Sequence, residues 1–338
     1  MRADRLAEMN AQALAHRPFL DWDYEPQPLS THKSRFHEIK RRFPYFGYID
    51  VKVEDVPPFV MFSNNDDRVA QMYFWYGPNA FESLSLQAWA HLSRRSRHIF
   101  DIGAYTGVYS LAAARANQEA EVYCFEPVKR VFGRLVDNLV VNRLGTTVKP
   151  FDVALSNLDG RATMNLFRTH RTLLSGSSLL PKSGKPIVAS EDVDALRLDT
   201  FVERHGVPGV DLVKIDVEQA EQLVIEGMDD TLRRYRPTVL VEVSSADRLR
   251  ELVDVLRPLG YGFAVVDDIL QRFHVDDVGA HQKVCNVLFS SIPANEFGGL
   301  CAALEARLQA EPETRPRARF WRRPGHRIWK ARARYDPE

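Results

Sequence analysis

The chain has 338 residues, 45% of them hydrophobic and 27% charged, an ordinary globular composition with enough apolar material for a sizeable core. Its formal net charge is zero, so total charge points to no special partner. Three cysteines, Cys124, Cys285 and Cys301, are odd in number and too widely spaced for a disulfide framework or a CxxC unit, which favours a reducing compartment.

No apolar run is long enough to cross a bilayer. The first ten residues carry acids and lack an apolar h-region, so no secretory signal is expected and the cytoplasm is the default location. Residues 1–48 are polar with aromatic interruptions. Tyr48–Phe62 reads as two strands broken at Pro57-Pro58, and Arg68–Leu92 as helix interrupted at Gly77-Pro78. From His98 onward short apolar strands alternate with helices, the pattern of a doubly wound α/β domain with a mostly parallel sheet. The strands are His98–Ile102, Glu121–Phe125, Val148–Val153, Asp211–Asp216, Pro237–Val243, Phe263–Val266 and Val284–Phe289, seven in all. Helices follow the first strand through Ala114, span Arg130–Asn142 with Val131, Leu135 and Leu139 on one face, and span Asp247–Leu256.

An insertion from about Ser156 to Gly209 separates the third and fourth strands. Arg161–Phe167 reads as a strand, while Ser175–Ser178 and Pro181–Gly184 are loop signals. An irregular segment at the carboxyl edge of a sheet is suited to cover a substrate, or else forms an outer hairpin. The expected organisation is an extension over 1–79, a main domain over 80–292 and a C-terminal helix and tail over 293–338.

The chemistry starts at Asp101-Ile-Gly-Ala-Tyr-Thr-Gly107, which follows a strand and opens a helix. Gly103 permits a tight turn, Gly107 permits close approach, and the exposed helix amides can receive a carboxylate. Tyr105 stands where a dinucleotide fingerprint has its second glycine, so a pyrophosphate turn is disfavoured, whereas an adenosyl amino acid does not require one. Glu126, at the end of the second strand, is placed to accept the ribose hydroxyls, with a helix-capping role as the alternative. Asp152, closing the third strand, could accept the adenine amine or serve as a surface turn acid. Asp216 and Glu242 close the fourth and fifth strands at the edge where open sheets put their chemistry.

Asp101–Gly107, Phe125-Glu-Pro127, Val153–Ser156 with Asp159-Gly160, Leu212–Glu221 and Thr238–Glu242 together resemble the FkbM family of methyltransferases. The resemblance covers roughly residues 80–290, with five elements in order. It implies a Rossmann-like methyltransferase fold and S-adenosylmethionine-dependent O-methylation of hydroxyls on metabolites and sugars. It implies cofactor roles for Asp101, Gly103 and Glu126, places Asp216 near methyl transfer, and suggests that Phe81-Glu82 closes over the cofactor. One departure stands out: Gln219 occupies the position where the family usually has glycine after its Asp-Val-Glu element.

The cofactor set is therefore Glu82, Asp101, Gly103, Tyr105, Gly107, Glu126 and Asp152, with Asp216 and then Glu242 as candidates for handling the acceptor proton. His170 and His281 are alternative bases whose pKa would suit neutral pH. Asp216, Glu218 and Glu242 offer oxygen ligands to a hard cation, but strand alternation separates neighbours and no metal is expected. Buried Lys214 could instead balance the carboxylates. The competing readings are an NAD-dependent oxidoreductase and a noncatalytic adenosyl-ligand-binding protein.

Residues 315–335 hold nine Arg or Lys and no acid, interleaved with Phe320, Trp321, Trp329 and Tyr335. Such a tail could fold onto an acidic surface of its own chain or of a second subunit in a homo-oligomer. Contact with an anionic membrane is a weaker option and nucleic acid the least favoured.

Overall fold

The structure is a computed structural model that describes residues 3–17, 33–77, 80–167, 173, 176–182, 184–280 and 285–309. His170, His281, Ser175 and the basic tail lie outside the described residues.

Two helices, α1 (Ala3–Ala15) and α2 (Lys33–Arg42), precede an antiparallel pair, β1 (Phe46–Val51) and β2 (Phe59–Asn64). Two more, α3 (Arg68–Tyr76) and α4 (Ser83–Ser93), flank the expected break: Gly77, at φ 77°, closes α3. The α/β succession then runs β3 (His98–Ile102), α5 (Val108–Ala116), β4 (Glu121–Phe125), α6 (Lys129–Val141) and β5 (Val148–Phe151). Next come β6 (Val153–Leu155), β7 (Gly160–Phe167), β8 (Ile187–Leu196) and α7 (Leu198–Arg204). The remainder is β9 (Leu212–Ile215), α8 (Glu221–Glu226), α9 (Asp229–Tyr235), β10 (Thr238–Val243) and α10 (Ala246–Leu256), then β11 (Gly262–Asp267), β12 (Arg272–Val275), β13 (Cys285–Ser290) and α11 (Ala294–Gln309). The α10 helix shows why these residues are helical: Leu249, Leu252, Val253 and Leu256 form one buried stripe, and the Ser245 side chain accepts the Arg248 amide at its start.

The main sheet has eight strands in the order β12-β11-β13-β10-β9-β3-β4-β5. That corrects the seven-stranded expectation. The added strand, β12, is an edge partner of β11 in which only Phe273 is buried, so it shows no alternation to read from sequence. Pairing is parallel from β5 to β10, and β13 is antiparallel to both β10 and β11. A second correction concerns the third strand. It breaks at Asp152, and β6 leaves the main sheet to join a three-stranded sheet of order β6-β8-β7. The insertion is thus more ordered than expected, carrying strands β7 and β8 and helix α7.

Side-chain parity in the central strands decides which groups can meet. Ile99, Leu212, Leu240 and Leu288 enter the core beneath α4 and α5, together with Val51, Phe59 and Trp75 from the N-terminal elements. Phe100, Val213, Val241 and Phe289 enter the opposite core, which includes Phe201 of α7 and Leu249 of α10. Asp101, Lys214, Glu242 and Asn286 each lie two residues from a member of the first set. All four therefore face the α4–α5 side near the carboxyl edge.

Candidate active site

The chain passes from β3 to β4 and β5 on one side of the sheet, and later to β9 and β10 on the other. The strand order reverses between β3 and β9, and open α/β sheets bind ligands at the carboxyl ends of the strands at such a point. The turn after β3 lies there. Amides of Gly103 and Ala104 both donate to the Phe125 carbonyl, at 3.0 and 2.9 Å, and the Asp216 amide donates to the Ile102 carbonyl at 2.9 Å. Gly103 has φ 80°, and a Cβ there would lie 1.9 Å from the Asp216 carbonyl oxygen. Gly107, at φ 97°, starts α5 with Leu135 packed against it. The turn therefore has two positions that exclude a side chain, one on each flank of Tyr105, whose own φ is 49°.

Glu126 is held at the end of β4 with its carboxylate spread across the turn. Its Oε2 accepts the Tyr105 amide at 3.1 Å and its Oε1 accepts the Val128 amide at 2.9 Å. Burial pushes its carboxyl up to about 8, against the pull of those two amides. The arrangement joins the two alternatives left open by the sequence: Glu126 supports the start of α6, and each oxygen retains lone pairs for a ligand hydroxyl. Asp101 points into the α5 side, where it accepts from Ser110 Oγ at 2.5 Å, and burial raises its carboxyl to about 6. Its contact is with the helix that follows the turn. Asp152 is exposed, one residue past Phe151, whose carbonyl accepts the Glu126 amide at 3.0 Å. It shares the edge with Glu126 and is far in strand order from Glu242.

A second group gathers under α4. Lys214 is fully buried, with Nζ 3.5 Å from Asp216 Oδ2 and 5.1 Å from the centre of the Tyr109 ring. Burial works against its charge, but Asp216, Glu82, Glu242 and Asp101 together outweigh that and raise its pKa. Glu82, the residue before α4, takes a left-handed φ of 41°. Its Oε2 accepts from Tyr109 Oη at 2.6 Å and from Asn286 Nδ2 at 2.9 Å. Glu242 lies opposite Asn286 in the β10–β13 ladder. Burial, then Asp216, Glu82 and Glu218, push the Glu242 carboxyl well above the usual range. Asp268 caps the first turn of α4, accepting Ser85 N at 2.9 Å and Ser85 Oγ at 2.6 Å.

The insertion meets this edge through Lys182. Its buried Nζ donates to Glu218 Oε2 at 2.5 Å and to the Gly176 carbonyl at 2.9 Å. Glu218 and Gln219 both have left-handed backbones, at φ 56° and 82°. No group of three or more His, Cys, Asp or Glu is arranged to hold a metal ion among the described residues.

Tyr109, Asn286, Asp268 and Lys182 are site residues that sequence reasoning misses. Asn286 carries a usable signal, since it precedes Val287-Leu288-Phe289 on a buried strand and must face the same way as Leu288. Lys182 carries none, because its burial depends on how the insertion folds back.

Residues 101–263 match the methyltransferase FkbM domain. A relative from Streptomyces tacrolimicus, 31-O-demethyl-FK506 methyltransferase FkbM, is 30% identical over 194 residues, covering 50% of this chain and 73% of that protein. The chain belongs to the FkbM methyltransferase family. Other relatives of this FkbM-family chain include the 2-O-methyltransferase NoeI of Sinorhizobium fredii, 29% identical over 153 residues, with 41% of this chain and 60% of NoeI covered. The AMB antimetabolite synthetase AmbE of Pseudomonas aeruginosa is 26% identical over 209 residues, or 51% of this chain, and the match spans only 10% of AmbE. Among solved structures, the methyltransferase FkbM of Methylobacillus flagellatus KT superposes with a TM-score of 0.38 at 14% identity, covering 57% of this chain and 43% of that one. The order β5-β4-β3-β9-β10-β13-β11, with β13 reversed, is the Rossmann-like methyltransferase arrangement extended by β12.

Proposed function

We propose that this chain transfers the methyl group of S-adenosylmethionine to a hydroxyl of a small metabolite, sugar or secondary-metabolite scaffold. The observation that carries the reading is the arrangement of residues at the strand-order reversal. There a side-chain-free turn at Gly103 faces the Asp216 carbonyl, and the Glu126 carboxylate lies beside it. These residues fit the cofactor: Glu126 offers paired acceptors to a ribose diol, and the backbone amides at the start of α5 can receive the carboxylate of an amino-acid moiety. Asp152 stands further along the same edge, on the adenine side. The relatives 31-O-demethyl-FK506 methyltransferase FkbM and 2-O-methyltransferase NoeI support a hydroxyl as the acceptor group.

Bound S-adenosylmethionine would supply an electrophilic methyl on its sulfonium. The protein must then orient the acceptor and take its proton. Asp216 does both in this reading: its carboxylate is partly exposed at this edge and tethered by Lys214 at 3.5 Å. Glu242 is the weaker candidate, because burial, then Asp216, Glu82 and Glu218, raise its carboxyl well above the usual range. Glu82, the residue before α4, stands at the boundary between the methionine end of the cofactor and the acceptor, bonded to Tyr109 and Asn286.

Calorimetric titration with S-adenosylmethionine, S-adenosylhomocysteine and NAD tests the cofactor. Binding of the adenosyl ligands and not NAD is expected, and preference for NAD overturns the reading. Methyl-transfer assays across a panel of hydroxyl-rich metabolites then separate an enzyme from a binding protein.

A further inference from the structure

Asn286 is 2% exposed and has its amide orientation fixed by donation from Nδ2 to Glu82. Its Oδ1 is buried and meets no donor among the described residues. A buried amide oxygen without a donor is destabilising. The groups around it aggravate the shortage. Glu82, Glu242 and Asp216 are all acceptors when ionised, and the cluster contains one buried cation, Lys214, whose Nζ already serves Asp216 and the Ile215 carbonyl. The second lysine at this edge, Lys182, is engaged by Glu218 and Gly176. The cluster is therefore rich in acceptors and poor in donors, and it reaches solvent through Asp216, whose side chain is 28% exposed.

A metal ion would need oxygens converging on one point, which these residues do not provide among the described set. A hydroxyl brings only one donor. An ammonium brings three donors and a positive charge to spread over separated acceptors. Position argues in the same direction. Glu126, which takes the ribose in the reading above, ends β4, whereas Asn286 lies on β13 with β3, β9 and β10 between them. Neighbouring strands are about 4.8 Å apart, so four steps place Asn286 roughly 19 Å from the ribose position, beyond the amino group of a single adenosyl amino acid. The donor that satisfies Asn286 therefore belongs to the second substrate.

We infer that the methyl acceptor carries an amino group, which is received between Asn286 Oδ1, Glu242 and Glu82 so that a hydroxyl on the same molecule stands at Asp216. This rests on the methyl-transfer reading and specifies its substrate class: a protonated amino alcohol or amino sugar. A neutral polyol could meet the Asn286 oxygen but would bring no positive charge to Glu82 and Glu242, and a carboxylate-bearing sugar would face those acids with a like charge.

The test is a titration of the full chain, with and without saturating S-adenosylhomocysteine, using ethanolamine and ethylene glycol as paired probes at equal ionic strength. The readout is ligand-detected NMR, with thermal shift alongside. Ethanolamine should bind about tenfold more tightly than ethylene glycol, in line with three charge-assisted bonds replacing a neutral one. Asn286→Leu should abolish that preference, and Asn286→Asp, which keeps an acceptor oxygen at the same place, should retain it. Equal binding of the two probes, binding of neither, or a preference that survives Asn286→Leu overturns the inference. If the leucine variant does not fold, loss of the preference in Asn286→Asp overturns it instead. Failure of the wild-type chain to bind S-adenosylhomocysteine would sink the methyl-transfer reading alone, since the probes are also titrated without it.

Discussion

Gly103 and Asp216 leave no space between them: a Cβ on Gly103 would fall 1.9 Å from the Asp216 carbonyl oxygen, and Gly103 also holds φ 80°. Both facts exclude any other residue without movement of β3 against β9. Neither strand can yield easily, since the Asp216 amide is bonded to the Ile102 carbonyl at 2.9 Å. Gly103→Ala should destabilise the fold by about 3 kcal/mol and abolish measurable binding of S-adenosylhomocysteine. Urea denaturation and calorimetry check the two effects. An alanine variant with wild-type stability and affinity would show that the turn is looser than its geometry.

Glu126 gives a pH-dependent prediction. Its carboxyl is raised to about 8 in the folded chain, chiefly by burial, above the ordinary value near 4.5 of the unfolded chain. The native state therefore holds a proton that the unfolded state releases, and stability should fall as pH rises between those values. Glu126→Gln should flatten that decline, as read from urea midpoints across the range. A ribose diol donates to the carboxylate form, so ligand affinity in the wild type should strengthen toward pH 8. The Glu126→Gln variant should bind about tenfold or more weakly and show little pH dependence.

Asp216 is separable from the cofactor side. Asp216→Asn should leave affinity for S-adenosylhomocysteine within about threefold while lowering kcat by about a hundredfold or more, the pattern of an interaction used in the transition state. Near-normal turnover at saturating acceptor would remove Asp216 from the proton-handling role. Loss of cofactor affinity would make it a cofactor ligand instead.

Gln219 sits at φ 82°, a left-handed backbone, in the position where the sequence departs from the glycine usual in the family. The neighbouring Glu218 is also left-handed, at φ 56°. The Gln219 amide donates to Glu221 Oε1 at 2.8 Å, a bond that glycine would keep. Gln219→Gly should therefore relieve strain and stabilise the protein by about 1 kcal/mol, raising Tm by roughly 2 °C. A lower melting temperature would mean that the glutamine side chain makes a compensating contact.

The strand–turn–helix at Asp101–Gly107 and the buried runs of β3, β4, β9 and β10 are legible in the sequence because apolar periodicity and glycine spacing are local signals. The ends of those strands place Glu126, Asp216 and Glu242 at one edge by the same local logic. What local signals do not carry is the partner of each side chain. Asp101 reads as a ligand-facing acid, yet it meets Ser110 of α5. Val148–Val153 reads as continuous, yet the chain changes sheet at Asp152 because Val153–Leu155 finds a partner in residues 194–196 of the insertion. Asn286 and Glu82 are 204 positions apart, and their contact exists only once β13 has been threaded between β10 and β11.

Lys182 ties the insertion to the carboxyl edge of the sheet. Its side chain is 1% exposed, and its ammonium is bonded to Glu218 at that edge and to the Gly176 carbonyl within the insertion. Glu218 is 37% exposed, so water can solvate that carboxylate once the lysine is gone. Lys182→Met keeps most of the length and apolar stem while deleting the charge, which confines the change to the attachment of the segment. The bridge between Asn165 and Ser178, where each amide donates to the other's carbonyl at 2.8 and 3.1 Å, reports on that attachment. Amide exchange at Asn165 and Ser178 should accelerate by about tenfold or more in the variant, while exchange in β3 and β9 stays unchanged. If the insertion covers the acceptor, KM for acceptor should rise and affinity for S-adenosylhomocysteine should not. Faster exchange with unaltered acceptor kinetics would identify the segment as an outer hairpin fastened to the rim. Unchanged exchange would mean that residues other than Lys182 hold it there.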